Sequence, residues 1–410
     1  MPARHASVAR RREPRHSRLL RGQRVLRGVA LGATAVLLFG VSFVGWFTQR
    51  LDSNLHTVDI AGLVGAPPAA AAAPDPKDPS AGRPVNILVL GSDYRDAATM
   101  KQEGAVTAGM RADTTIVLHI SADRTRVEAV SIPRDSLVTI PSCVVSDGST
   151  TKARKRDLIN SAFATGWDAG GDVRSAAACA VRTVQDNTGL VIDHFVVVDF
   201  AGFQAMVNAI GGVDICIPKE MHDSYVGLNL DAGQQLLSGE DAFKFARSRH
   251  NNIGNGSDID RIGNQQRLIA AIVNQVLSRD VLTDLTKLVP FLSAATASLT
   301  TDLDLPSITG MAYNLRTIRA DAITFMTIPW APAASDPNRV QWTADATQVW
   351  LNMATDVPIT TPAQPPASQS SGSGTPQATP TGPTPSPTAV ETKDAGKDPF
   401  TPADVTAVCG

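Results

Sequence analysis

Residues 85–91, VNILVLG, open a series of short apolar stretches that run through this chain of 410 residues. The others read TTIVLHIS (114–121), RVEAVSIP (126–133), HFVVVDF (194–200), VDICIP (213–218) and ITFMTIP (323–329). Their β-branched and nearly unbroken apolar character predicts strands buried on both faces. Helical patterns fill the gaps, most clearly the apolar stripe from Leu268 to Leu277. We therefore predict an α/β fold, a three-layer α-β-α sandwich with a central mixed sheet.

An uncharged segment near the N-terminus predicts a membrane anchor. Residues 28–49 contain no charge, and at 1.5 Å per residue they are long enough to cross a hydrocarbon layer of about 30 Å. A cleaved signal peptide is the alternative, but its apolar core is usually only about 7–15 residues long. We predict a single transmembrane helix over 28–49. The Arg-rich tail at 1–27 stays cytoplasmic, and the bulk of the chain lies outside the membrane.

Composition divides the rest of the chain. We predict an extracytoplasmic linker or accessory segment over 50–83, a catalytic domain over 84–358, a disordered Pro/Ser/Thr-rich tail over 359–399, and a Cys-containing C-terminal segment over 400–410. Residues 360–390 contain eight Pro and no Leu, Ile or aromatic residue, so nothing there offsets the entropy of ordering.

Charge argues against a nucleic-acid-binding protein. Residues 1–27 hold nine Arg and one acidic residue, which leaves 28 basic and 38 acidic residues for the remainder. A nucleic-acid-binding domain normally carries a basic face instead. Any basic site in the main body must therefore be local.

Four cysteines, Cys143, Cys179, Cys216 and Cys409, form no C-x-x-C pair. In an exported chain an even number of cysteines favours disulfides over redox or zinc chemistry. We predict a Cys143–Cys179 disulfide, whereas the connectivity of Cys216 and Cys409 stays open.

Charged side chains collect at the predicted ends of strands and at the start of a helix, where open α/β sheets bind their ligands. They are Asp93, Arg95, Arg111, Asp113, Arg134, Asp135, Arg247, Arg249, Asp258, Asp260 and Arg261. Carboxylates suit Mg²⁺ or Mn²⁺, which a substrate phosphate and water can also coordinate, and Arg binds phosphate oxygens in bidentate fashion. Together they predict a metal-assisted polyphosphate site.

Each of these residues alone also has a plainer interpretation. Asp93 would belong to a turn, Asp113 would cap a strand, Arg134 would form a surface pair with its neighbour, and Asp258 or Asp260 would cap a helix. Arg247 and Arg249 are two residues apart and do not share a helix face. Both reach one site only if the helix ends there.

Other chemistries find little support. The sequence contains neither G-x-x-x-x-G-K-S/T nor H-E-x-x-H, the motifs of a phosphate-binding loop and of a zinc protease. His119 and His194 lie within predicted strands, and we interpret both as structural.

Seven stretches in order resemble the LytR-CpsA-Psr family of membrane-anchored cell-envelope proteins, over about 85–280. They are NILVLGSDYR, RADTTIVLHI, VSIPRDSLVTIP, LINSAFATG, IDHFVVVDFAGFQAMVNAIGGVDI, LLSGEDAFKFARSRH and GSDIDRIGNQQ. The resemblance implies a phosphotransferase of the EC 2.7.8.- type, with a pyrophosphatase side activity. Such an enzyme moves a glycopolymer from a polyprenyl diphosphate lipid carrier to a peptidoglycan hydroxyl, releases polyprenyl phosphate, and uses Mg²⁺, with Mn²⁺ as the alternative.

The resemblance also assigns roles to residues. It implies that Asp93 and Asp113 hold the metal and that Asp258 helps to activate the acceptor, with Arg134 and Arg249 also catalytic. The predicted phosphate-binding set is Arg95, Arg111, Arg134, Arg247, Arg249 and Arg261. One position departs from the family pattern, because Asn264 stands where a second Arg is usual, and this puts one phosphate or structural contact in doubt.

Two other functions are compatible with these residues. A hydrolase would use the same site with water as the acceptor. A non-enzymatic envelope-linked transcriptional regulator is disfavoured, because only residues 1–27 would face the cytoplasm and they contain no helix-turn-helix. The apolar residues of 265–300, including Leu285, Leu288, Val289, Phe291 and Leu292, would form either a slot for the lipid chain or packed core.

Overall fold

The computed structural model describes residues 16–65, 82–92, 110–254, 256–277, 284–362, 393, 395–402 and 404. The chain divides into two compact units, Met1–Ser53 and Asn54–Gly410. Helix α1 (His16–Asn54) makes up the described part of the first unit.

Helix α1 contains the predicted membrane span and extends beyond it at both ends. Within it, Val25–Asn54 is long and apolar enough to cross a membrane, and its most apolar window is wholly exposed. Phe39, for example, is 73% exposed. No Pro interrupts residues 16–54, so the helix continues on either side of the uncharged stretch. This helix fits a single-pass anchor.

The second unit is built on a seven-stranded sheet with the order β1-β12-β7-β2-β3-β4-β13. These strands are β1 (His56–Thr57), β2 (Val85–Ser92), β3 (Ala112–Ile120), β4 (Val127–Ile132), β7 (His194–Asp199), β12 (Leu299–Thr301) and β13 (Ile323–Thr327). Strand β2 pairs antiparallel with β3 and parallel with β7, and β3 is antiparallel to β4. The sheet is therefore mixed, and the predicted α/β class is confirmed.

The remaining strands form two-stranded sheets. They are β5 (Leu137–Ile140) with β6 (Arg154–Leu158), β8 (Val213–Ile217) with β11 (Gly233–Leu237), β9 (Met221–Asp223) with β10 (Leu228–Leu230), and β14 (Trp330–Ala333) with β15 (Asp336–Trp342). The helices of this unit are α2 (Ala61–Val64), α3 (Ser161–Gly170), α4 (Val173–Thr188), α5 (Phe200–Ala209), α6 (Gly239–Arg247), α7 (Asp258–Leu277), α8 (Leu285–Ala297), α9 (Leu305–Leu315) and α10 (Ala344–Ala354).

The alternation of side chains along the strands separates two buried layers. On β2, Leu88 and Leu90 belong to one apolar cluster, whereas Val85 and Ile87 belong to another. Residues that alternate along a strand face opposite sides of the sheet. Helices α3, α4 and α10 contribute to the first cluster, and α7 contributes to the second. Helices therefore cover both faces of the sheet, as the three-layer prediction requires.

One predicted strand lies outside the main sheet. The stretch at 213–218 forms β8, which pairs only with β11 among the described strands. Its residues Val213, Ile215 and Ile217 are buried in a third cluster that also contains Leu268 of α7. Helix α7 therefore covers this strand although the strand does not belong to the main sheet. Strands β1 and β12, of two and three residues, are too short to be recognised from periodicity.

Two predicted domain boundaries differ from the structure. Strand β1 and the buried Ile60 belong to the folded domain, so the predicted 50–83 linker is ordered over its N-terminal part. At the other end, the buried Ile359 donates its backbone N–H to Glu128 Oε1 at 2.9 Å, although it falls in the predicted disordered tail. Residues 363–392 of that tail lie outside the described residues.

The Cys143–Cys179 disulfide is confirmed. It joins the segment after β5 to helix α4. Cys216 is also disulfide-bonded. Cys409 lies outside the described residues, so its connectivity stays open.

A C-terminal segment, residues 395–402, packs onto helix α7. Gly396 donates its backbone N–H to Gln266 Oε1 at 2.9 Å. Phe400 exchanges backbone hydrogen bonds with Phe325 of β13, and the two rings stack with centroids 5.3 Å apart. The contact is so close that a Cβ atom on Gly263 would lie 2.4 Å from the Ala395 carbonyl oxygen. Residues 395–399 were predicted to be disordered, but in the structure they pack against helix α7.

This close contact can be tested with Gly263→Ala. The added methyl group meets backbone that must shift, so we expect the free energy of unfolding to fall by about 1–3 kcal/mol. Gly62→Ala is the matched control, because it lies in helix α2 and its Cβ would meet only the Arg174 side chain at 3.9 Å. Chemical denaturation of the full chain in detergent measures both. Equal stability of the two variants would contradict this packing.

Candidate active site

Sheet topology brings the predicted residues Asp113 and Arg134 to one edge. Because β3 runs antiparallel to β4, the start of β3 lies beside the end of β4. Asp113 is the second residue of β3, and Arg134 follows β4 after Pro133. The guanidinium Nη1 of Arg134 donates to Asp113 Oδ1 at 2.8 Å. The predicted site residues of two strands therefore meet directly.

The first turn of helix α7 supplies the other half of the cluster. The backbone N–H of Arg134 donates to Asp258 Oδ2 at 3.1 Å, and its Nε lies 3.4 Å from Asp258 Oδ1. Arg261, one turn further along α7, places Nη2 2.6 Å from the same Oδ1 atom and donates to the Asp113 carbonyl at 2.9 Å. One carboxylate is thus shared by two arginines. We call Asp113, Arg134, Asp258 and Arg261 the arginine cluster.

Burial sets the electrostatics of this cluster. The side chains of Asp258 and Arg261 are each only 6% exposed. Burial raises the pKa of Asp258 above its ordinary value and outweighs the opposing effect of Arg261 and Arg134. Burial likewise lowers the pKa of Arg261. Burial would also lower the pKa of Arg134, but Asp258 and Asp113 outweigh it, and the net shift is upward.

Arg249 adds a third guanidinium. Helix α6 ends at Arg247, and Ser248 has an extended backbone. Repulsion from Arg249 contributes to the lowered pKa of Arg261, so the two cations are near neighbours. The Nε atoms of Arg134, Arg249 and Arg261 are buried, and no described residue accepts a hydrogen bond from them. The three guanidinium groups carry more positive charge than the carboxylates of Asp113 and Asp258 that contact two of them, so the site favours an anionic ligand.

Asp223 holds Arg249 in place, although nothing in the sequence singled it out. This carboxylate is 1% exposed. Its Oδ2 accepts hydrogen bonds from Ser248 Oγ at 2.7 Å, from the Arg249 N–H at 3.0 Å and from the His250 N–H at 2.9 Å. The only local signal was an Asp at the end of a short strand. Its partners lie about 25 residues away in sequence, so no local pattern reveals them.

The departure at Asn264 has a structural explanation. Asn264 Nδ2 lies 3.5 Å from the Ser248 carbonyl oxygen, and Gln265 Nε2 donates to the Ala246 carbonyl at 3.2 Å. Both side chains therefore secure the end of helix α6 from which Arg249 emerges. Asn264 therefore makes a structural contact at the position where the family usually has a second Arg.

Not every predicted residue joins the cluster. Arg247 is exposed, and its guanidinium carbon lies 5.2 Å from the Phe243 ring centroid and 6.0 Å from that of Phe200. Helix α6 ends at Arg247, as would be required for Arg247 and Arg249 to reach one site. Arg247 nevertheless stacks on aromatic rings. Arg111 is also exposed, and its carbonyl accepts a hydrogen bond from Ser92 Oγ at 3.3 Å. Asp93 and Arg95 lie outside the described residues.

The plainer interpretations do not account for Asp258 and Arg134. Ser257 Oγ accepts the Asp260 N–H at 3.3 Å, so Ser257 supplies a cap for helix α7. Asp135 pairs with Arg339 at 2.9 Å, whereas its nearest contact with Arg134 is 3.8 Å. Arg134 is therefore more than the partner of its neighbour in sequence.

The two histidines in strands have structural partners. His119 is fully buried between Asn86, at 2.8 Å, and Asp356, at 3.1 Å. His194 Nδ1 lies 2.9 Å from Asp302 Oδ2. Neither contacts the arginine cluster in the described part of the chain.

Comparison with known proteins places the chain in a family. The LytR_cpsA_psr family model matches residues 66–355, and the chain belongs to that family. This match confirms the resemblance seen in the sequence.

Individual relatives agree with this assignment. The cell wall biosynthesis protein LcpA of Corynebacterium glutamicum is 32% identical over 259 residues, 60% of this chain and 49% of that protein. The polyisoprenyl-teichoic acid–peptidoglycan teichoic acid transferase TagU of Enterococcus faecalis is 30% identical over 233 residues, 57% of this chain and 66% of that protein. The chain thus spans about half the length of the first relative and about two thirds of the second.

A solved structure shows the same fold. The LytR-Csp2A-Psr enzyme from Actinomyces oris aligns with a TM-score of 0.51 at 22% sequence identity, and the alignment covers 73% of this chain and 96% of that one.

The role of Asp223 predicts a pH dependence of stability. Burial raises the pKa of this carboxyl, but hydrogen bonds from Ser248, Tyr225, His250 and Arg249 outweigh it and hold the pKa below the ordinary 3.8. A carboxyl whose folded-state pKa is depressed stabilises the protein above its unfolded pKa, and this contribution is lost as pH falls through the folded pKa. Stability contributed by Asp223 should therefore decline below about pH 4.

Asp223→Asn tests this dependence. The variant should be less stable than the parent at pH 7 by about 1–3 kcal/mol, because buried N–H donors lose an acceptor. The difference should shrink on acidification. Denaturation curves at pH 7 and in steps below pH 4 measure it. Asp186→Asn, which removes an exposed partner of Arg182, should cost no more than about 1 kcal/mol. A difference between parent and Asp223→Asn that does not change with pH would refute the assignment.

Proposed function

We propose that this chain is a membrane-anchored phosphotransferase. It would move a glycopolymer from a polyprenyl diphosphate lipid carrier to a peptidoglycan hydroxyl and release polyprenyl phosphate. Family membership and the names of the relatives support a role in cell wall assembly. The donor, the acceptor and the reaction class belong to the proposal.

One observation carries the proposal, namely that two arginines meet at a single buried carboxylate with a third arginine nearby. Arg134 and Arg261 share the buried Asp258, and Arg249 is close enough to help lower the pKa of Arg261. A diphosphate offers several anionic oxygens to planar guanidinium donors. Of the predicted phosphate-binding residues, these three fit that role best. Arg95, Arg111 and Arg247 remain in the proposed set without a described contact to the cluster.

The reaction is a displacement at phosphorus. The acceptor hydroxyl attacks the phosphorus next to the sugar, a new P–O bond forms, and the bond to the polyprenyl phosphate breaks. The hydroxyl proton passes to Asp258, whose raised pKa makes it a stronger base than an ordinary carboxylate. Arg134 and Arg249 stabilise charge on the transferring group, and such electrostatic positioning accounts for most of phosphoryl-transfer catalysis.

The proposed cofactor is Mg²⁺, with Mn²⁺ as the alternative, held by Asp93 and Asp113. The Asp113 side chain is 35% exposed, so it lies on the open side of the arginine cluster, where an ion can reach it. Oxygen donors of this kind match the preference of Mg²⁺. When bound, the ion would neutralise charge on the diphosphate. Substrate oxygens and water would complete the coordination of the ion.

The membrane placement follows from α1. We propose that the Arg-rich N-terminal tail is cytoplasmic and that the sheet domain faces outward. Helix α8 offers a place for the lipid chain, because Leu285 is 66% exposed and Leu288, Val289 and Leu292 are only half-buried. Phe291 packs against the third apolar cluster and therefore belongs to the core, so the proposed slot would be formed by the other four residues.

Arg249→Ala tests the transfer site. Loss of one donor to the transition state should reduce the transfer rate by about 10²–10³. The assay uses the full chain in detergent with a polyprenyl diphosphate-linked glycan and a peptidoglycan acceptor, and mass spectrometry quantifies the linked product. Arg182→Ala, an exposed residue of helix α4, is the matched control and should keep full activity. Removal of Mg²⁺ by EDTA should abolish transfer, and its restoration should recover it.

The same assay separates transfer from hydrolysis. A hydrolase with this site would use water, so free phosphorylated glycan would accumulate whether or not an acceptor is present. That result would replace transfer with pyrophosphatase activity. Full activity of Arg249→Ala would instead remove Arg249 from the reaction.

A further inference from the structure

An exposed aromatic pair lies beside Arg249. Tyr225, in the loop between β9 and β10, is 79% exposed. Its ring centroid lies 4.3 Å from that of His250, with 36° between the ring planes. His250 directly follows Arg249 in the chain, and it too is exposed.

The backbone of Tyr225 and His250 is held by a single buried carboxylate, that of Asp223. Asp223 Oδ1 accepts the Tyr225 N–H at 3.0 Å, and Asp223 Oδ2 accepts the N–H groups of His250 and Arg249 at 2.9 and 3.0 Å. Both rings and the arginine therefore share one rigid support. An aromatic side chain held exposed by an ordered backbone is preorganised for binding, because little conformational entropy is lost when a ligand arrives.

The neighbouring side chains are polar and hydrogen-bonded into a network. His222 places Nδ1 2.8 Å from Asn229 Oδ1 and Nε2 2.7 Å from Glu220 Oε1. Asn252 accepts the His222 N–H at 2.7 Å and donates to the Glu220 carbonyl at 3.1 Å. These amide, imidazole and carboxylate groups lie within a few residues of Tyr225 or His250 in the chain. Together with the exposed aromatic face they suit a ligand that combines hydroxyl groups with an apolar ring face. A sugar ring has this combination.

We propose that Tyr225 and His250 form a binding subsite for a pyranose ring of the acceptor glycan. The inference rests on the proposed transfer function and specifies where the acceptor strand lies. The diphosphate of the donor would bind the arginines, whereas the described side chains of this patch other than the adjoining Arg249, namely Tyr225, His250, His222, Asn229, Glu220 and Asn252, include no permanent cation. Because Tyr225 is open to solvent, a long polymer can lie across it without entering a cleft. The sequence neighbour Arg249 brings that polymer to the reacting phosphorus.

Kinetics of Tyr225→Ala test the subsite in the full chain. Removal of the ring should raise the KM for the glycan acceptor by about five- to tenfold and leave kcat and the KM for the lipid donor unchanged. Tyr225→Phe keeps the aromatic face and should restore the acceptor KM. Tyr313→Ala, which truncates an exposed tyrosine of helix α9, is the matched control and should behave as the parent. A merely structural role of Tyr225 would lower thermal stability without this split between the two KM values.

Direct binding separates this proposal from the proposed function. A β-1,4-linked tetramer of N-acetylglucosamine is titrated into the full chain and followed by calorimetry. Binding to the parent and to Tyr225→Phe, but not to Tyr225→Ala, supports the subsite even if no transfer is ever detected, in which case only the proposed function fails. Equal acceptor KM and equal tetramer binding in parent and Tyr225→Ala would overturn the subsite. A rise in the donor KM alone would overturn its assignment to the acceptor.

Discussion

The carboxylate of Asp258 is the interaction on which the site depends. It lies between Arg134, which leaves the central sheet, and Arg261, which lies one turn along helix α7. Because this carboxylate is almost completely buried, neither arginine could keep its position and charge there without it. The same contact joins the sheet to the helix. The geometry of the site therefore depends on the packing of α7 against the sheet, and a change that moves α7 would also move the site.

Several features far from the cluster maintain this arrangement. The segment 395–402 closes over α7 through Gly263 and Gly396, where only a glycine allows the two backbones to approach. Asn264 and Gln265 tie α7 to the end of helix α6, and Asp223 then fixes the extended backbone that carries Arg249. Cations that repel one another are thus held in place by backbone and side-chain hydrogen bonds, by carboxylates and by close packing.

An arrangement in which the arginines are held in place before a ligand binds is consistent with the proposed chemistry. A transferase for a lipid diphosphate needs cations that are preorganised before the substrate arrives, since moving them during the reaction would cost free energy. It also needs a surface open enough for a polymeric acceptor. In this protein Arg249 and the exposed pair Tyr225 and His250 share the support of Asp223. The proposed donor and acceptor sites would therefore be aligned by the same residue.

Local sequence was sufficient for much of this description. The strand stretches at 85–91, 114–121 and 126–133 were predictable because buried strands have a distinctive apolar pattern, and the antiparallel order of the corresponding strands brings Asp113 beside Arg134. Tertiary structure alone decided which charges converge. Arg247 and Arg249 look alike in sequence, yet one stacks on Phe243 and the other lies near Arg261. It alone also revealed Asp223, the separate position of β8 and the docking of residues 395–402. These features depend on contacts between residues that are far apart in the chain, and a periodic pattern records only which face of an element is buried, not which partner covers it.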